Sequence, residues 1–329
     1  MKPSVDRPAA EPGAVEDTDV APAIIDWLLA GDPAIRWQVM RDIQGAAGLV
    51  WRAEQERVAT EGWGARLLAQ RDDSGRWTPR LYGQKWTSTT YSLVLARQLG
   101  LPSTDARARA SCRLFLDEGL WPDGGMNLSA THRRSETCIT GLVISLLSWF
   151  GIDDPRRERV VEYLLREQMP DGGWNCQRDH GATHSSFHTT ANVLDGLRDY
   201  VEGRGSLAEA AAGAEARGRE FLLVHRLFRS HRTGAVVDPK LLRLTFPPRW
   251  RHDVLRGLDH FRAAGAGRDH RLSDAVDAVR SRRGSDGRWP LHAPHPGAVW
   301  FEMEEPGQPS RWNTLRALRV LRWWSAANR

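Results

Sequence analysis

The chain has no long apolar run. None approaches the roughly 18–20 residues that cross a bilayer, so no transmembrane segment is expected. Cysteine is scarce: Cys112, Cys138 and Cys176 are the only three, and the count is odd. That excludes a dense disulfide framework and predicts a reducing, cytoplasmic setting. The N-terminus has no apolar leader. Residues 1–20 are rich in Pro, Ala, Glu and Asp and are expected to form a disordered tail. Charge of one sign is also lacking. A net +5 over 329 residues is mild, and nucleic acid is not an expected partner.

Tryptophan is what the chain has in quantity, with fifteen residues. Bulky rings of this kind fill cores or line cavities for apolar ligands. Several of them belong to a repeat. A turn with Gly and an aromatic or Met recurs as DSGRW at 73–77, PDGGM at 122–126, PDGGW at 170–174 and SDGRW at 285–289. The first three copies are 48 to 49 residues apart, and the last gap is about twice that. HRTGAVVD at 231–238 is read as a degenerate copy in that gap. Helix-length apolar runs follow each turn, at 87–99, 136–150, 187–200, 250–263 and 311–325, and others precede it, as at 154–168 and 271–283. The pattern predicts five to six helical hairpins that must pack side by side to bury their apolar faces. Periodicity alone leaves an open solenoid and a closed ring both standing.

Residues 170–197 and the copy before them hold the chemistry-bearing side chains. Glu136 and Cys138 lie two apart, and His188 stands 50 residues after Cys138, at the corresponding place of the next repeat. Acid, thiol and imidazole are zinc-binding groups. The bland alternatives are a core cysteine and a helix-capping glutamate. His180, His184 and His188 are spaced by four, but Gly181 and the Ser/Thr-rich run make 180–186 a loop, with His180 and His184 on a polar rim. Cys176 is a second thiol whose place just after the turn suggests packing.

The Gly-aromatic turns at the helix junctions resemble the repeats of the terpenoid cyclase and protein prenyltransferase superfamily, over roughly residues 25–328. The resemblance implies an all-α fold, an α/α toroid over residues 21–329 with inner helices around a central cavity. Its wide mouth would be formed by the loops entering the inner helices. Prenyltransferase β subunits hold zinc with an Asp, a Cys two residues later and a His one repeat on. The similar positions here are Glu136-Thr137-Cys138 and Phe187-His188-Thr189. The resemblance thus implies Zn2+ on Glu136, Cys138 and His188, which would be the catalytic residues. It also implies diphosphate-facing cations at Arg133 and near Lys85, with Arg134 beside them.

Trp86, Trp250 and Trp312 stand at or near inner-helix starts and form a candidate lining for a carbocation, or core packing. The basic stretches 225–232 and 247–253, the latter with His252, form a candidate anion-binding mouth or a solvated edge. The arginines of 311–324 are expected to face solvent or the mouth. The class II cyclase branch needs an Asp-rich acid motif. The equivalent approach here, Trp86-Thr87-Ser88-Thr89-Thr90, has no carboxylate. Three readings follow: a zinc enzyme acting on an isoprenoid or other apolar substrate, a metal-free toroid with Glu136 or His188 as acid or base, and a toroid that binds a lipid or peptide without reaction. Nothing in the chain supplies a protein partner.

Overall fold

The computed structural model describes residues 20–129 and 133–326. The expected N-terminal tail therefore lies outside the described residues, except for Val20. Outer and inner helices alternate. In chain order they are α1 (Pro22–Leu29) and α2 (Pro33–Asp42), then α3 (Gly48–Glu56) and α4 (Gly62–Leu68) with α5 (Thr89–Leu99). Next come α6 (Ala106–Leu114) with α7 (Thr137–Trp149), and α8 (Arg156–Arg166) with α9 (Phe187–Glu202). The last pairs are α10 (Ala208–Val224) with α11 (Val254–Ala263), and α12 (Ser273–Arg280) with α13 (Arg311–Ala326). Strand structure among the described residues is limited to isolated bridges at the turns. The inner helices α5 and α7 are buried on nearly every face, whereas α6, α8 and α12 bury one stripe.

The ring closes. On α13, Arg319 donates to Gln38 Oε1 at 3.0 Å and to Asp42 Oδ2 at 3.3 Å, both on α2. Arg311 donates to the Trp27 carbonyl of α1 at 3.0 Å. Trp63 stacks on Trp312 across the same seam, with centroids 6.2 Å apart. The all-α toroid is thereby confirmed, and the solenoid alternative falls away.

The recurring turn has one job in each copy. Gly75, Gly124, Gly172 and Gly287 take φ of +90°, +93°, +92° and +79°, which disfavours a side chain. Two residues later the chain turns inward. The backbone N–H groups of Trp77, Met126, Trp174 and Trp289 donate to Thr89, Thr140, Thr190 and Thr314 at the first turn of the next inner helix, at 2.9–3.1 Å. The three indoles each donate to a carbonyl of the preceding outer helix. Each turn therefore fastens an outer helix to an inner one. The degenerate copy at 231–238 keeps its glycine, Gly234 at φ +72°. At the equivalent offset it carries Val236, which is 37% exposed where Trp174 and Trp289 are fully buried.

Helices α7 and α9 approach closely because both present glycine. A Cβ on Gly196 would lie 2.5 Å from the Gly141 carbonyl oxygen, and one on Gly141 would meet the Asn192 backbone at 2.8 Å. At the narrow end of the ring the inner helices carry charge. Arg256 pairs with Asp195 at 2.8 Å, Arg198 with Asp199 at 2.8 Å, and Arg319 with Asp259. His260 sits between Asp195 and Glu215, at 3.0 and 2.8 Å. The arginines of α13 were expected to face solvent or the mouth. Arg316 and Arg319 instead point into the ring, 6% and 12% exposed, because carboxylates on α2 and α11 meet them there.

Candidate active site

Loops entering the inner helices meet at the opposite, wide end. Lys85 and Trp86 precede α5, and Trp250 precedes α11. The Lys85 ammonium lies 5.9 Å from the Trp86 ring centroid and 5.8 Å from that of Trp250. Two further cations join them. The Arg249 guanidinium stands 5.3 Å over Trp86, and that of Arg251 stands 4.6 Å over Trp250. Tyr91 meets Trp86 edge-on at 4.8 Å, and Tyr82 lies beyond Tyr91 at 5.7 Å. The Trp86 indole is held by the His295 and Pro296 carbonyls at 3.0 and 3.1 Å. Among the described residues, Lys85, Arg249 and Arg251 form no ion pair with a carboxylate.

This surplus of positive charge registers on its neighbours. Burial lowers Arg249 to about 10. His295 is lowered to about 4, by burial first and then by Arg251 and Arg249. His188 is lowered to about 4, again by burial first and then by Arg251 and Arg256. Both imidazoles are neutral at neutral pH.

The expected zinc triad does not assemble. Among the described residues no three His, Cys, Asp or Glu side chains group to hold a metal ion. His188 turns toward α11, where its Nδ1 accepts the His252 backbone N–H at 2.9 Å and its ring meets Trp250 edge-on at 5.1 Å. Cys138 pairs instead with the thiol of Cys176. That contact, then burial, pushes Cys138 well up; the same contact brings Cys176 down to about 6 against its burial. Glu136 takes the N-cap position of α7. Its charge reaches Cys138, Cys176, Tyr82 and Tyr91, which places it beside the aromatic cluster. The residues present do not fit the zinc site implied by the resemblance.

The other expected substrate contacts divide. Lys85, Trp86 and Trp250 converge. Arg133 is exposed, and Arg134 is occupied in an exposed pair with Asp179 at 2.8 Å. The His252 ring is buried away from the cluster. It stacks on Phe187 with centroids 5.6 Å apart, donates from Nε2 to the Leu227 carbonyl at 2.9 Å, and is lowered to about 3 by burial. Trp312 stacks face-to-face on Phe246 at 4.0 Å. That pair closes the ring axis between a cavity of about 140 Å³ under the mouth and one of about 410 Å³ among the charged residues of the narrow end. His180 is exposed against Gln177. His184 and His188 line a lateral cleft of about 1080 Å³ between α9, α10 and the 231–238 turn. Arg249 and Arg251 belong to the basic stretch 247–253 that the sequence offered as an anion-binding mouth, and they do reach the cluster. Tyr82 and Tyr91 were missed, because nothing in the sequence around them marks them.

No family model matches the chain. Among curated proteins it is similar to a drimenyl diphosphate synthase from Streptomyces showdoensis, 33% identical over 131 residues. The aligned segment is 39% of this chain, and it spans only 24% of the length of that relative. The terpenoid-cyclase resemblance of the repeats is borne out over that segment. Solved structures give broader and fainter likeness. A protein from Actinoplanes is 18% identical, covers 90% of this chain and 89% of its own, and superposes with a TM-score of 0.46. The apo type II terpene cyclase MstE from Scytonema is 16% identical, with 91% and 89% covered and a TM-score of 0.44. A glycosyl hydrolase family 88 protein from Bacteroides vulgatus is 8% identical, with 95% and 91% covered and a TM-score of 0.47. No helix among the described residues is long and apolar enough to cross a membrane.

Proposed function

We propose that this chain is a terpenoid-cyclase-like enzyme acting on an isoprenoid diphosphate at the wide mouth of the ring. One observation carries the reading. Lys85, Arg249 and Arg251 stand around the indoles of Trp86 and Trp250 with no ion pair to a carboxylate among the described residues, Glu302 acting on Arg249 only from beyond ion-pair distance. A diphosphate supplies the missing negative charge, and each charge-assisted contact is worth about 1.5–3 kcal/mol. The indole faces stabilise positive charge developing on carbon. The identity shared with the drimenyl diphosphate synthase supports the same substrate class.

The residues take distinct parts. With its Nδ1 accepting a backbone N–H, neutral His188 carries its proton on Nε2 and acts as a hydrogen-bond donor. It has no free lone pair for a general base, and a pKa of about 4 leaves it without a proton to give at neutral pH. Glu136, beside Tyr82 and Tyr91, is the acid or base of this reading. The test incubates the protein with geranyl, farnesyl and geranylgeranyl diphosphates and analyses dephosphorylated products by gas chromatography–mass spectrometry. Pyrophosphate binding and bound metal are measured in parallel. The expected result is turnover of at least one substrate, with binding weakened in Lys85→Ala and Arg249→Ala. A wild-type protein that binds neither pyrophosphate nor any prenyl diphosphate overturns the reading.

A further inference from the structure

Four of the five turns plug the space between outer and inner helix with a residue two positions after the glycine: Trp77, Met126, Trp174 and Trp289 are all nearly or fully buried. The fifth turn offers Val236 instead. The consequence is a gap. Val224 at the end of α10, with Val236 and Val237, stays 45%, 37% and 52% exposed, and these are three of the few large apolar side chains left so open among the described residues. All three line the lateral cleft of about 1080 Å³, whose other walls include Phe187, Phe221 and Leu241.

The alternatives on the ring axis are poor hosts for a hydrocarbon. Ligand pockets run to about 300–1,000 Å³, and the cavity under the mouth holds about 140 Å³. The narrow-end cavity of about 410 Å³ is lined by Arg41, Arg97, Arg198, Asp199 and Asp259, among others. A prenyl chain there would strip water from charged groups without replacing it. The lateral cleft combines size with an exposed surface that is mostly apolar, the charged side chains Asp171, Glu220, Arg232 and Asp238 standing among its walls. One of its wall residues borders the charged mouth. His188 lines the cleft and touches Trp250, on whose ring Lys85 and Arg251 stand.

We propose that the lateral cleft between α9, α10 and the 231–238 turn binds the chain of an isoprenoid diphosphate, whose charged end passes His188 to reach Lys85 and Arg251. The identity of the ligand rests on the functional reading above; the place of its chain does not follow from that reading. The occupant is chosen by complementarity: a largely apolar cleft is bordered by His188, whose ring meets Trp250, on which Lys85 and Arg251 stand with no ion pair to a carboxylate among the described residues.

The test uses the full chain and three probes, farnesyl diphosphate, farnesol and inorganic pyrophosphate, titrated by calorimetry. Val224→Gln/Val237→Gln is the variant. Both side chains are exposed, so the fold should hold, which thermal melting checks. Neutral replacements avoid repelling the diphosphate. The expected result is roughly tenfold weaker binding of farnesyl diphosphate and farnesol, with pyrophosphate unchanged. If the folded variant binds farnesyl diphosphate like wild type while pyrophosphate still binds, the cleft proposal is wrong and the mouth reading survives. If farnesol binds wild type as tightly as farnesyl diphosphate and the variant weakens both, the cleft stands and the diphosphate reading falls. If none of the three binds wild type, both are overturned.

Discussion

Trp174 donates its indole Nε1–H to the carbonyl of Leu164, 2.7 Å away and ten residues earlier in α8. Trp77 and Trp289 repeat the bond, to Leu67 and Val279, at the same offset and the same length. The ring is thus assembled from one tie used three times. It joins the last turn of an outer helix to the turn that starts the next inner one, and it explains why Gly and Trp keep their spacing while the residues between them vary.

Trp174→Phe keeps an apolar ring and removes the donor. The buried Leu164 carbonyl then lacks its indole partner, which costs about 1–3 kcal/mol. Urea unfolding monitored by circular dichroism reads the loss. Trp121→Phe, at a 36% exposed indole, is the control and should stay within about 0.5 kcal/mol. Equal effects at the two positions would mean that the tie is not what fastens the hairpin.

Arg319 joins α13 to Asp259 on α11 and to Asp42 on α2, and so helps to close the ring. Arg319→Met leaves two buried carboxylates without this cation. Removing one partner of a buried pair costs about 3–5 kcal/mol. The double variant Arg319→Met/Asp259→Leu removes both ends and should recover part of that loss. Denaturant midpoints of the wild type, both singles and the double form the cycle. A double variant no more stable than Arg319→Met would show that the network acts through Asp42 or through packing.

Cys176 is the thiol expected to react first. Its pKa falls to about 6, chiefly because Cys138 donates to it, with Thr189 and Gln177 helping. Cys112 is fully buried and pushed upward by that burial. Thiolates are the nucleophiles. Iodoacetamide at neutral pH, followed by peptide mass spectrometry, should label Cys176 well before Cys112. In Cys138→Ala the labelling of Cys176 should slow at that pH, because the donor is gone. Faster labelling in the variant would mean that Cys138 shields Cys176 rather than acidifying it.

The fold was legible because Gly, Trp and Thr mark each hairpin in the chain itself. The degenerate copy at 231–238 could be placed by its spacing, but not the cleft that its Val236 leaves open. The mouth was half legible. Lys85, Trp86 and Trp250 could be picked out as residues at inner-helix starts. His188 could not be oriented, because its ring direction depends on the His252 N–H, 64 residues away. The partner of Cys138 was misread for a related reason. Equivalence between repeats pointed to His188, whereas the nearby turn residue Cys176 reached the thiol first. The ionic interior was missed because Arg and Asp on an amphipathic helix read as a solvated face.

Acid should weaken the folded state through its buried histidines. His188, His252 and His295 are held neutral, at about 4, 3 and 4 against an ordinary 6.5, with burial the leading cause in each. As pH falls through 6.5 the unfolded chain takes up these protons and the folded chain does not. The stability they contribute is therefore complete above pH 6.5 and is lost progressively as pH falls toward 4. His260 has the opposite sign. Its pKa is raised by Asp195 and Glu215 against burial, so its contribution is present at low pH and lost as pH rises through its folded value. Asp42 and Asp259 are held below the ordinary 3.8, opposed by burial but lowered by their arginine partners, so their contributions are lost only at lower pH. His225 and His292 are also lowered by burial, so five depressed histidines stand against one raised histidine and give a net fall, which the burial-raised carboxyls of Asp32, Glu202, Asp253 and Glu304 oppose without reversing. The melting temperature should drop between about pH 6.5 and 4.5. His252→Gln, which keeps a donor for the Leu227 carbonyl and does not titrate, should make that slope shallower. Wild type and variant with parallel slopes across this window would show that His252 takes up no less charge folded than unfolded.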